Sequence, residues 1–268
     1  MSGRLEGRTV AILGASQRGG SGWVAAETFA AEGAHVFVAA RRLEKAQELA
    51  AEIGGTACRC DAADEAEVEA FVKAAAARTG RIDLAVAAVG IGSLGSIDET
   101  GMDKLGEAFA INFFGPFQFV RYAARHMERG ASAVLFSSIT SEHVLPGSVA
   151  YSCSKAAING FVRYAAVEYA ERGIRVNALK AGVLEGPQAR RWRKAGMFDR
   201  LLREVPLGEA VDPEELARMI LWLATDAKSI TGESIYVDGG GHLRRQVFPD
   251  EMSDEGLASM GKRRPPEG

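Results

Sequence analysis

From residue 9 onward the chain alternates between short apolar runs and segments of helical pattern, and this alternation leaves few folds open. TVAIL (9–13), HVFVAA (35–40), TACRC (56–60), IDLAVAAVG (82–90), SAVLFSS (132–138), IRVNALK (174–180) and SIYVDG (234–239) read as strands. Most are continuously apolar, the pattern of a strand covered on both faces. Between them the spacing predicts helices over 22–33, 43–53, about 65–78, about 102–129, about 150–171 and 213–224. Gly33 is placed to stop the first of these and Asp64 to cap the third. Strands separated by helices pair in parallel through right-handed crossovers, so the expected architecture is α/β, a doubly wound parallel sheet with helices on both faces. At 268 residues and 47% hydrophobic content the chain can bury one large core. A single domain is expected over residues 1–242, followed by a polar appendage at 243–268.

Bulk chemistry excludes several function classes. A net charge of −3 offers no general basic field to nucleic acid or an anionic membrane. No uninterrupted apolar run is long enough to cross a bilayer, and MSGRLEGRTV lacks the apolar centre of a secretion signal. Cys58, Cys60 and Cys153 form neither a zinc spacing nor a disulfide framework. No metal site is therefore expected, and the expected compartment is a reducing cytoplasm.

Two constellations point to chemistry. LGASQRGGSG (13–22) lies between the first strand and the first helix. Glycines there let the backbone turn tightly and approach a pyrophosphate seated on the positive helix N-terminus. The loop by itself leaves open a glycine-rich turn without a ligand. The second constellation is SSITSEHVLPGSVAYSCSK (137–155). It holds Ser138 at a strand end, then Tyr151 and Lys155 on one face of a helix. An ammonium beside a phenol favours the phenolate and lowers a pKa ordinarily near about 10. Such a tyrosine can exchange a proton with a substrate oxygen near neutral pH, and Ser138 can hydrogen-bond the same oxygen. By itself Tyr-x-x-x-Lys also describes a solvated helix face.

LGASQRGGSG, CDAAD (60–64), INFFGPF (111–117), LFSSITS (135–141), YSCSK (151–155), RVNALKAG (175–182) and ITGESIYVDGG (230–240) follow one another in a telling order and at telling separations. In these pieces the chain resembles the short-chain dehydrogenase/reductases over about residues 5–242. The resemblance implies a Rossmann fold and an NAD(P)-dependent oxidoreductase. It implies that Tyr151 is the acid/base, that Lys155 lowers its pKa and holds the nicotinamide ribose, and that Ser138 orients the substrate carbonyl. Asn112, inside a helix, would hold a water of the proton relay, Asp61 would contact adenine, and Val183 would reach the carboxamide through its backbone. Gly90 and Gly182 complete the expected cofactor-binding set. Outside that pattern Asn112 reads as an exposed helical residue and Asp61 as a turn or cap. The resemblance also implies a homotetramer with two-fold axes through the helices at about 102–129 and 150–171. Ala108, Ala110, Phe113, Phe117 and Ala123 in the first, and Ala157, Phe161, Ala165 and Ala166 in the second, suggest more apolar surface than one sheet face covers.

The chain departs from the family in places that bear on function. Gly14, Gly20 and Gly22 take the three glycine places, with two extra residues between the first and second. That spacing is similar to the divergent branch, the enoyl-acyl-carrier-protein reductases, which separates its tyrosine and lysine more widely than here. The family's Asn-Asn-Ala-Gly is Ala87-Ala88-Val89-Gly90, its Pro-Gly is Ala181-Gly182, and a cofactor-holding threonine is replaced around Glu185-Gly186. Ala40 stands where an acid would accept from the 2′-hydroxyl of NAD, while Arg41, Arg42 and Arg18 offer guanidinium forks to a 2′-phosphate. NADP(H) is the expected cofactor and NAD(H) the alternative. The expected reaction interconverts a ketone and a secondary alcohol, with a small carbonyl or alcohol as substrate. Enoyl-thioester reduction is the alternative, and a non-catalytic dinucleotide-binding protein is disfavoured by the presence of Asn112, Ser138, Tyr151 and Lys155. Residues 187–204 sit where the family places its substrate lid. Trp192, Met197, Phe198 and Leu201 would form an apolar wall there. Arg190, Arg191, Arg193 and Lys194 could meet an anionic or carrier-linked substrate, although a solvated basic helix face is the simpler reading. His143 reads as an ordinary loop histidine and Trp23 as packing.

Overall fold

Strands that are apolar on both faces must be covered from above and below, and the helices between them do this. A computed structural model describes residues 3–194 and 196–245. The strands are β1 (Thr9–Leu13), β2 (His35–Ala40), β3 (Thr56–Arg59), β4 (Leu84–Ala87), β5 (Ser132–Ser138), β6 (Arg175–Ala181) and β7 (Ser234–Val237). They form one sheet in the order β3-β2-β1-β4-β5-β6-β7, every pairing parallel. The helices are α1 (Ser21–Ala31), α2 (Leu43–Ile53), α3 (Glu65–Ala77), α4 (Met102–Phe109), α5 (Gly115–Ala124), α6 (Val149–Tyr169), α7 (Pro187–Lys194), α8 (Phe198–Arg203) and α9 (Pro213–Thr225). Alternate strand residues sort into two cores. Leu13, Ala85, Leu135 and Val176 pack with Phe71 of α3, Phe119 of α5 and Ile158 of α6. Ile12, Val86, Val134 and Leu179 pack with Phe29 of α1, Leu49 of α2 and Ile220 of α9. The result is the doubly wound α/β domain expected from the alternation.

Local chemistry sets most boundaries. Asp64 caps α3, accepting from the Glu67 N–H at 3.1 Å. Gly33 takes a φ of +87° just beyond α1, where an L side chain would be strained. Three expectations are corrected. β4 ends at Ala87 rather than residue 90. The helix expected over 102–129 ends at Ala124, and Ala110–Phe114 winds as a π turn, with the Gly115 N–H donating to the Ala110 carbonyl. Gly115 is needed there, because a Cβ would lie 2.3 Å from the Ala62 carbonyl oxygen. Finally, Ala108, Ala123, Ala165 and Ala166 are not surplus surface: all four are buried, and Phe113 and Phe161 pack on the core. The large apolar residues left outward on these helices are Met102, Phe114, Phe117, Tyr164 and Val167.

From β1 the chain runs outward to β3, then crosses back to β4 on the other side of β1. A crevice therefore opens at the carboxyl ends of β1 and β4, where ligands bind in sheets of this topology. Among the described residues no helix is long and apolar enough to cross a membrane. Of the carboxy-terminal appendage expected from 243, residues 246–268 lie outside the described residues.

Candidate active site

The crevice is lined by backbone that side chains would block. Gly14 follows β1 with a φ of +100°, and a Cβ on it would lie 2.7 Å from the Val89 nitrogen. A Cβ on Gly22, in the first turn of α1, would lie 2.2 Å from the Gly14 carbonyl oxygen. These two glycines let the β1–α1 loop rest against residues 88 and 89. Gly20 is the N-cap of α1, no side chain caps the helix, and its first turn holds no acid. The free N–H groups and the positive helix end thus face the crevice without a competing anion. This cradle fits the pyrophosphate of a dinucleotide. The widened part of the loop has its own contact. Gly19 presents its carbonyl oxygen to Gly186, where a Cβ would come within 2.6 Å, and Gly186 has a φ of +109°. The loop therefore reaches across to Gly186, just before α7. Sequence reading missed this contact, and its signal was a glycine directly before Pro187.

The residues expected around the adenosine ribose part company. Arg42 donates to the Ser16 hydroxyl at 3.1 Å and to its carbonyl at 3.3 Å, joining the end of β2 to the glycine loop. Arg18 turns away. It pairs with Glu52 of α2, and its guanidinium lies 4.6 Å from the Trp23 ring centre. Arg41 is exposed and has no side-chain partner among the described residues. Ala40, at the end of β2, carries no acid. Asp61 accepts from the Ala63 N–H at 3.0 Å, a local turn that occupies one carboxylate oxygen. Trp23 is buried and donates to Glu27 at 2.9 Å, as a packing residue would.

The candidate reacting groups meet at the carboxyl end of β5 and the first turns of α6. Lys155 and Tyr151 lie one turn apart on α6, with Nζ 5.9 Å from the phenol ring centre. The buried ammonium donates to the carbonyls of Phe136 at 2.8 Å and Val89 at 3.3 Å. Burial lowers the Lys155 pKa to about 8. Gly90 leaves it room, since a Cβ there would lie 3.4 Å from Nζ. Burial also pushes the Tyr151 phenol above its ordinary value, while a hydrogen bond with Ser138 pulls it down. Desolvation, rather than the nearby ammonium, thus dominates the tyrosine in the chain by itself. The Ser138 hydroxyl is shared with Thr140, accepting from its N–H at 3.2 Å. Asn112 sits fully buried in the π turn. Its Oδ1 accepts from the Ile91 N–H at 2.8 Å, and its Nδ2 donates to the Ile91 carbonyl and the Ser154 hydroxyl, both at 3.0 Å. The amide therefore braces the loop after β4 against α6 and is not an exposed helical residue.

Gly182 lets β6 and β7 converge, because a Cβ would lie 2.6 Å from that of Asp238. The Val183 carbonyl accepts from Val211 at 2.8 Å, and its N–H has no partner among the described residues. In the segment expected as a lid, Met197 and Phe198 are buried, while Trp192 and Leu201 are half-buried. Arg193 pairs with Glu185 and stacks 4.0 Å from the Phe198 ring centre, whereas Arg190, Arg191 and Lys194 are exposed. His143 is half-buried, 6.3 Å from Tyr236 between ring centres. A separate polar cleft of about 300 Å³ lies at the opposite, amino ends of the strands, where Arg8 and Arg81 are tied to Asp83. Sequence reading also passed over Lys180, a lysine inside a buried strand.

A parallel sheet with a glycine cradle at its switch point, and Ser138, Tyr151 and Lys155 at the strand ends beside it, defines the class of dinucleotide-dependent oxidoreductases. The family model described as enoyl-(acyl carrier protein) reductase matches residues 14–242. Oxidoreductase UcpA of Salmonella typhimurium is 34% identical over 261 residues, covering 91% of this chain and 98% of its own. D-threitol dehydrogenase of Mycolicibacterium smegmatis is 31% identical over 245 residues, covering 88% and 94%. The crystal structure of BdcA in complex with NADPH superposes with a TM-score of 0.80 at 32% identity, covering 88% of this chain and 95% of that one. The chain belongs to the short-chain dehydrogenase/reductase family and is an enzyme of that type.

Proposed function

We propose that the protein interconverts a ketone and a secondary alcohol with NADP(H), using Tyr151 as acid/base. One observation carries this reading: the Tyr151 and Ser138 hydroxyls converge beside Lys155 at the carboxyl edge of β5, next to the glycine cradle. The dinucleotide, when bound, supplies or accepts the hydride. Ser138 donates to the substrate oxygen and orients it. Tyr151 gives that oxygen its proton in reduction and takes it back in oxidation. The Lys155 ammonium, fixed by the carbonyls of Phe136 and Val89, favours the phenolate left behind. Asn112 holds the Ile91 loop and Ser154, and so keeps both walls of the site in register.

Preference for NADP(H) is supported by Ala40 at the end of β2, by the unpaired Arg41 and by Arg42 beside Ser16. The NADPH bound to BdcA is consistent with it. That a relative is a D-threitol dehydrogenase supports the alcohol side of the reaction. Residues 1–242 make up the catalytic domain, with 187–204 as its lid, in a cytoplasmic homotetramer. A screen of carbonyl compounds that follows NADPH absorbance tests the reaction. Enoyl reduction is a second reading, favoured by the widened glycine loop and by the description of the matching family model. Acetoacetyl- and crotonyl-thioesters separate the two. NADPH oxidation with the acetoacetyl compound alone is expected, and oxidation with the crotonyl compound alone would overturn the carbonyl reading.

A further inference from the structure

Beside the reacting groups, a polar row crosses the face of the sheet covered by α6. Ser137, Lys180 and Tyr236 are register partners on β5, β6 and β7, so their side chains stand side by side. Lys180 is only 5% exposed. Its Nζ lies 3.1 Å from both oxygens of Glu142 and 3.7 Å from the centre of the Tyr236 ring. The Tyr236 hydroxyl donates to the same carboxylate. Asn159, one turn beyond Lys155, donates to Glu142 at 3.3 Å and to the Ser141 hydroxyl at 2.9 Å. Ser141 in turn donates to the Ser138 carbonyl at 2.6 Å. The Asn159 Oδ1 accepts from Ser137 at 2.8 Å, which closes the row.

The reaction scheme uses none of these side chains, yet their bonds end on Ser141 and on Glu142, the residue that closes the turn Ile139–Ser141 directly after Ser138. A buried lysine is costly where an apolar side chain would pack, and it is retained only with well-placed partners. The hydroxyl of Ser138 is bonded to Thr140 of the same turn as well as to Tyr151, so the turn is one of the two contacts that set its direction. Among the described residues, the hydrogen bonds that tie the turn and Glu142 to other elements run to Asn159, Lys180 and Tyr236.

We propose that Lys180, with Glu142 and Tyr236, is a positioning clamp that aims Ser138 at the substrate oxygen, acting through Asn159 and Ser141. This rests on the carbonyl-reductase reading given above. Lys180→Met and Tyr236→Phe test it. Glu142 is 43% exposed and can be solvated when Lys180 is replaced, so no charge is stranded. The first readout needs no substrate. In the NADPH-bound protein, both variants are expected to speed hydrogen–deuterium exchange at the Thr140, Glu142 and His143 amides, with exchange elsewhere unchanged. The second readout uses a carbonyl found by the screen. Lys180→Met is expected to lower kcat about 10- to 100-fold while the KM for NADPH stays within about twofold. Tyr236→Phe, which keeps the ring, is expected to fall between it and the wild type. Unchanged exchange over 138–143 would overturn the clamp, and so would faster exchange with kcat within about twofold of wild type. If Lys180→Met does not fold, Tyr236→Phe carries both readouts. A screen that yields no carbonyl substrate defeats the proposed reaction instead, and the exchange measurement still decides whether the clamp orders this turn.

Discussion

Tyr151 is where chemistry and environment pull against each other. Burial raises its pKa and the Ser138 hydroxyl lowers it, burial being the larger effect, so the phenol is protonated at neutral pH. Tyr151→Phe is expected to lower kcat about 10²- to 10⁴-fold with the Kd for NADPH nearly unchanged, checked by steady-state kinetics and cofactor fluorescence. Lys155 gives a pH signature of its own. Burial takes its pKa from 10.5 to about 8, so between these values the unfolded chain binds the proton more tightly than the folded one. Its contribution to stability therefore rises with pH across that window and is least favourable below it. Lys155→Met removes this dependence. Its melting temperature relative to wild type is expected to be lower at about pH 9.5 than at about pH 7, measured by calorimetry. An identical difference at both values would show that Lys155 does not titrate there. Gly186 is constrained twice, by its φ of +109° and by the Gly19 carbonyl 2.6 Å from any Cβ. Gly186→Ala is expected to push the widened loop away from the start of α7 and weaken NADPH binding about tenfold, read by fluorescence titration.

Among the elements, the end of β2 and the β1–α1 loop are joined, and the proposed cofactor preference rests on both. Arg42 already joins them through Ser16, and Arg18 is engaged with Glu52, which leaves Arg41 with the freest guanidinium of the three. A 2′-phosphate would form charge-assisted bonds with it, each of about 1.5–3 kcal/mol. Ala40→Asp with Arg41→Ala removes a fork and adds a carboxylate that accepts from a 2′-hydroxyl, so one double change acts on both cofactors. The ratio of kcat/KM for NADPH to that for NADH is expected to fall about 100-fold or more. A wild type that prefers NADH would show that Arg41 serves only solvent and that Arg42 and Arg18 only tie the glycine loop to β2 and α2. Helices α7 and α8 follow a similar logic: Arg193 is drawn onto Glu185 and Phe198, and Arg190, Arg191 and Lys194 are exposed.

For the whole molecule, Phe114, Phe117, Tyr164 and Val167 stand outward from the π turn, α5 and α6. Large apolar side chains left outward on neighbouring helices are the kind of surface that a subunit interface covers. A homotetramer is expected at micromolar concentration, and a monomer by light scattering would contradict it. The sequence by itself determined the strands, most helix limits, the glycine cradle and the Ser138–Tyr151–Lys155 group. Each of these is written in a window of a few residues: an apolar run, Asp64 at a cap, Gly33 beyond a helix end, or two side chains a turn apart. Locality also produced the errors. The alanines of α5 and α6 looked like surplus surface, because composition does not say which side of a helix the sheet takes. Only the tertiary structure decided that Asn112 braces Ile91, that Arg18 leaves the cofactor side for Glu52, that Gly19 meets Gly186 and that Lys180 is held by Glu142 and Tyr236. These contacts join residues far apart in the chain, and their partners are set by how strands stack and helices settle, which no local pattern encodes.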